Sequence, residues 1–103
     1  MANFGNLPKG MAQQLQALQQ QLANAQKELA EAEVEGTAGG GVVKITIRGD
    51  QTCTNVQIAP EILEDNDPAM LQDLVMTAFN NAQEALQEMT SERLGPFSKM
   101  LGQ

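Results

Sequence analysis

Histidine, tryptophan and tyrosine are all missing from this 103-residue chain, and cysteine occurs once. Each gap closes off a kind of chemistry. Without a histidine, Cys53 has no imidazole to activate it as a nucleophile, so it reads as an idle or structural thiol. One cysteine cannot close an internal disulfide, and one Cys with no His cannot build a tetrahedral zinc site within the chain. The acidic residues Glu64, Asp65 and Asp67 lack the central Gly and closing Glu of a calcium loop. They read as a solvated loop with one helix cap. No nucleophile–base pair is present either. The chain is therefore expected to be no enzyme, with no catalytic residue, cofactor, metal or small-molecule substrate.

Cations are scarce as well. Six Lys and Arg stand against 13 Asp and Glu, a formal charge of −7, which favours solubility and argues against a broad basic footprint. Long apolar runs are absent: nothing approaches the roughly 20 residues that cross a bilayer, and Met1 to Lys9 lacks the apolar core of a signal peptide. A soluble cytoplasmic protein without membrane contact is expected. With three Phe as its only aromatics, the core must come from Leu, Ile, Val, Met and Ala. So small a core gains much by burying a face against a second copy.

What is present is clear periodicity. Residues 1–7 read as a flexible start, 8–94 as a single domain and 95–103 as a tail. From Pro8, a tolerated first-turn residue, Met11, Leu15, Leu18, Leu22, Ala25, Leu29 and Ala32 recur in steps of four and three. That seam predicts a helix to about Glu33, about 39 Å long at 1.5 Å per residue, part of it projecting as an arm. Gln residues fill the surface between the seam positions.

The stretch "GTAGGGVVKITIRGD" poses a choice between a phosphate-cradling loop and a turn. A phosphate loop needs a helix behind it, whereas Gly39–Gly41 leads into alternating Val43, Ile45 and Ile47, so the glycines are a turn. Strands are expected at Val34–Ala38, Val42–Arg48 and Thr52–Ile58, forming an antiparallel three-stranded meander with unpaired outer edges. In the third, Thr54, Val56 and Ile58 share one face and Cys53, Asn55 and Gln57 the other. Glu61–Glu64 is expected to form a helical turn. Asp67-Pro68 then opens a second long helix through Leu71, Leu74, Val75, Ala78, Ala82, Ala85, Leu86 and Met89, and Gly95-Pro96 is expected to stop it. The class is α+β.

Three pieces in this order, the Gln- and Leu-rich first helix, "VEGTAGGGVVKITIRGD" and "VQIAPEILEDNDPAMLQDLVMTAFNNAQEAL", resemble the YbaB/EbfC family of nucleoid-associated proteins from about Met11 to Met89. The resemblance implies a homodimer whose sheets and second long helices form a shared body, with the first helices as tweezer arms. It also implies binding of double-stranded DNA with little sequence preference, and a role in nucleoid organisation or gene regulation, in the cytoplasm and nucleoid.

The candidate phosphate contacts are the cations. Lys9 and Lys27 lie on the arm, beside Gln13, Gln16 and Gln20, and either meet DNA or form a solvated face. Lys44 and Arg48 share one face of the middle strand and either grip DNA or pair with acidic neighbours such as Glu35. Arg93 and Lys99 either contact DNA or complement the end of the second long helix. A module that grips polypeptides, chaperone-like in plan, is the alternative function that the acidic balance favours.

Overall fold

The computed structural model describes the backbone of residues 9–100 and the side chains of residues 10–97. Helix α1 (Lys9–Glu31) leads into strands β1 (Glu33–Ala38), β2 (Val43–Arg48) and β3 (Cys53–Ile58). A single turn, α2 (Pro60–Glu64), precedes the long helix α3 (Pro68–Met100). The strands form one antiparallel sheet in the order β1-β2-β3. The α+β class, the meander and the first three turns of chain follow the expectation. None of the described helices is long and apolar enough to cross a membrane.

The core lies between α3 and one face of β1 and β2. Val43, Ile45 and Ile47 point at the helix and are 0%, 3% and 1% exposed. Their partners across β1 are Ala38, Gly36 and Val34. Ala78, Ala82 and Leu86 close the layer from α3. Small residues set its depth: a Cβ on Gly36 would fall on the Ala78 carbonyl and the Ala82 amide, so helix and strand backbones touch with no side chain between them. Asn81 then donates from Nδ2 to the Thr37 carbonyl at 2.8 Å, tying α3 to the outer strand. β3 receives no such cover, and Cys53 to Gln57 are exposed throughout.

The turns follow from local chemistry. Gly39, Gly40 and Gly41 all have positive φ, at 64°, 75° and 98°, a conformation that costs other residues about 1 kcal/mol or more each. Asp67 caps α3 by accepting the Met70 amide at 3.1 Å. Asn66, with φ 53°, ends α2 in the left-handed conformation that Asn tolerates.

Two expectations are corrected. Helix α3 does not stop at Gly95-Pro96 but continues to Met100 with Pro96 inside it. Pro96 cannot donate to the carbonyl four residues back and its ring crowds that carbonyl, a cost that falls here close to the helix end. In β3, a bulge pairs Thr46 with Asn55 but Ile47 with Cys53, leaving Thr54 as the extra residue. The bulge moves Cys53 to the face of Val56 and Ile58. Thr54 turns to the other face, where its hydroxyl donates to Glu33 Oε2 at 2.6 Å.

Helix α1 stands apart from this body. Its base is held where Gly49 donates to the Ala32 carbonyl at 2.8 Å and Asp50 to that of Ala30 at 3.2 Å, and Leu29 is buried there. Toward its N-terminus the seam is only half-buried, and Met11 is exposed. The radius of gyration, 20.4 Å, far exceeds the roughly 13 Å of a compact chain of this size. The molecule measures 69 × 22 × 21 Å.

Candidate nucleic-acid interface

Charge is distributed unevenly along this elongated shape. From Gly10 to Gln26 the arm carries no charged residue at all. The acidic residues begin at Glu28 and lie on the arm base, the sheet, the α2–α3 segment and α3. On the helix, Gln13, Gln16, Gln20 and Lys27 fall in steps of three, four and seven, which places them on one stripe. All four are exposed, and the stripe runs opposite the apolar seam of Leu15, Leu18 and Leu22. Lys9 occupies the position four residues before Gln13, but its side chain lies outside the described residues.

The second pair of candidates sits on the sheet face turned away from α3. Lys44 stands between Thr37 of β1 and Gln57 of β3, and Arg48 stands opposite Glu33. Their cross-strand pairing with Glu35 does not form, because Glu35 is registered against Thr46. Arg48 is instead bound within its own turn. It donates from Nε at 3.1 Å and Nη2 at 2.7 Å to Oδ2 of Asp50, whose Oδ1 accepts the Thr52 amide at 3.0 Å. The Arg48 hydrogen bond, followed by those from Thr52, holds the Asp50 carboxyl well below the usual carboxylate range. The same bond raises Arg48 above its ordinary value. Among the described residues this is the one ion pair, and Lys27, Lys44 and Arg93 have no carboxylate within 4.0 Å.

Arg93 is exposed on α3, one residue after Glu92 and beside a strip formed by Glu84, Glu88 and Glu92. Lys99 lies in the last turn of α3 with its side chain outside the described residues. The four cations whose side chains are described, Lys27, Lys44, Arg48 and Arg93, thus sit on three elements, α1, β2 and α3.

A further surface is apolar. Val56 is 50% exposed, Met76 57% and Phe79 41%, and with Ile45, Cys53, Leu71 and Val75 they line a groove between bare β3 and the adjacent flank of α3. The exposed thiol of Cys53 lies in this groove and donates to the Asn55 carbonyl at 3.7 Å.

Compared with known proteins, residues 3–101 match the YbaB/EbfC DNA-binding family. The chain belongs to that family. A nucleoid-associated protein of Corynebacterium kroppenstedtii is 43% identical over 89 residues, 86% of this chain and 89% of that one. One from Mycobacteroides abscessus is 46% identical over 89 residues, covering 86% and 78%. Another, from Desulforamulus reducens, is 46% identical over 91 residues, covering 88% and 86%. In fold, the chain is similar to the crystal structure of an uncharacterized protein from Helicobacter pylori, with a TM-score of 0.66 at 21% identity over 98% of this chain and 99% of that one.

Within this YbaB/EbfC chain, reading the sequence by its cations misses two features. The uncharged shaft is visible in the sequence as a gap in charge, a signal as plain as a cluster. Asp50 as the partner of Arg48 was hidden, because residues two apart on one strand lie on a common face but a turn intervenes here.

Proposed function

We propose that this YbaB/EbfC chain acts as a dimer that binds double-stranded DNA, mainly through backbone contacts with little sequence preference, and so contributes to nucleoid organisation or gene regulation. Family membership supplies the nucleic-acid partner. The observation that carries the binding mode is the arm, uncharged from Gly10 to Gln26, with its stripe of Gln13, Gln16, Gln20 and Lys27 facing away from the apolar seam. Amide side chains hydrogen-bond phosphate and sugar as well as groove edges, and with a single ammonium beside them we read the stripe as mainly a backbone contact. The acidic residues stay behind the shaft, so a duplex lying along the arm avoids most of the repulsion that a charge of −7 implies. Dimerisation is supported by the groove of Val56, Met76 and Phe79 beside the open edge of β3, an apolar surface that a monomer has no reason to expose. Two arms on one body gather cations that are too few on one chain.

Anisotropy of a labelled random-sequence duplex, titrated at low and near-physiological salt, tests this reading. Binding should weaken steeply with salt, by about 0.9 in log–log slope per phosphate neutralised. Lys27→Ala should weaken it, and Phe79→Glu should halve the mass seen by light scattering and lose the gain from two-armed attachment. No binding at low salt would remove the proposal. The bare apolar seam on the arm favours one second reading, a grip on polypeptide. A partner retained in nuclease-treated pull-downs, with no duplex binding, would put that reading first.

A further inference from the structure

We infer that Asp50 is an affinity-setting residue: its carboxylate occupies the Arg48 guanidinium as a built-in stand-in for phosphate, and so keeps Arg48 from contributing to DNA binding. The inference rests on the DNA-binding reading above and deepens it.

A guanidinium recognises phosphate by presenting two N–H groups to an oxyanion. Arg48 already presents Nε and Nη2 to one, Oδ2 of Asp50, at 3.1 and 2.7 Å. The carboxylate is fixed from the other side, since Oδ1 accepts the Thr52 amide in a turn closed by the Arg48 amide bonding to the Thr52 carbonyl at 2.8 Å. The anion therefore does not depend on a freely rotating side chain to stay in place. Both partners remain partly open, at 41% and 38% of side-chain exposure, so a DNA phosphate can approach the guanidinium. It gains only the difference between two similar anions. Lys44, on the same face, has no such partner among the described residues. One cation of the two on this face is thus neutralised where it stands.

Asp50→Asn removes the charge and keeps Oδ1 for the Thr52 amide, and Asp50→Ser keeps an acceptor in another form. Both should fold with unchanged circular dichroism. In the duplex titration each should bind about threefold or more tighter than the natural chain at low salt, with a slope steeper by about 0.9 for each phosphate that Arg48 gains. Arg48→Ala leaves Asp50 unpaired and should weaken binding slightly by itself, and it should erase the gain in either Asp50 variant. Asp65→Asn controls for net charge. Asp65 follows α2, beyond the end of the sheet where Val43 pairs with Ile58. Arg48 is at the other end of β2, about 17 Å away at strand rise and outside a screening length of about 10 Å.

If the natural chain binds and the Asp50 variants match it or the Asp65→Asn control, the inference falls while the DNA reading stands. A gain that survives Arg48→Ala overturns the inference too, since charge alone then explains it. Tighter binding by the Asp50 variants that vanishes with Arg48 supports it. If no variant binds even at low salt, the DNA reading fails and takes the inference with it.

Discussion

Val43, Ile45 and Ile47 in the body and Leu15, Leu18 and Leu22 in the arm have comparable apolar side chains, yet the first three are buried and the second three are half in water. The body earns its burial by approach: Gly36, Ala38, Ala78 and Ala82 are small enough for α3 to rest directly on β1, which brings the β2 side chains into full contact. The arm has the right periodicity but no opposing surface over most of its length. Apolar spacing therefore identifies what a helix is able to bury, and only the partner's geometry decides whether it does.

Truncation should break the two regions unequally. Ile47→Ala is expected to cost about 2–5 kcal/mol, because the cavity it leaves is enclosed by sheet and helix. Leu15→Ala should cost less than about 1 kcal/mol, as its side chain leaves little packing behind. Urea unfolding of both variants measures the contrast. A cost for Leu15→Ala that rose with protein concentration would mean the seam is covered by another copy.

Adding one methyl sharpens the comparison from the opposite side. Gly36→Ala places a Cβ on the Ala78 and Ala82 backbone and is expected to destabilise by about 3 kcal/mol, since two rigid backbones have to part. Gly10→Ala meets nothing within 4 Å in α1 and should stabilise by about 0.5 kcal/mol through helix propensity. Opposite shifts in the urea midpoint are the expected result, and equal shifts would contradict the account of the body's packing.

Those contrasts mark what is legible in the sequence. Alternation in Val43–Ile47 specifies a half-buried strand, the glycines of 39–41 specify a turn, and Asp67-Pro68 specifies a helix start, because each depends on neighbours within a few residues. The bulge at Thr54 leaves no comparable mark, and it exchanges the faces of Cys53 and Thr54. The passage of α3 through Pro96 was equally hidden, since a proline forfeits one bond without forbidding the turns that follow. In the candidate site, helical spacing was enough to place Gln13, Gln16, Gln20 and Lys27 on one stripe. The binding of Arg48 by Asp50 depends on a turn with Gln51 at φ 73°, which no residue pattern announces.

The smallest expected effect lies at the junction of the two regions, where the turn holding Asp50 also seats the arm through Gly49 and Ala32. The Asp50 carboxyl is held below its ordinary value in the folded chain, first by Arg48 and then by Thr52. A depressed folded value means that the stabilisation is fully present above the unfolded carboxyl range, near about 4, and is lost as pH falls further toward the folded value. The stability difference between the natural chain and Asp50→Asn should therefore stay constant from about pH 5 to 9 and shrink only below about pH 4. Urea midpoints of the two proteins across that range measure it. A difference that changed near neutrality would point to another titrating group at the junction. A constant one would mean that Asp50 stays ionised, and so able to hold Arg48, at every pH at which DNA is offered.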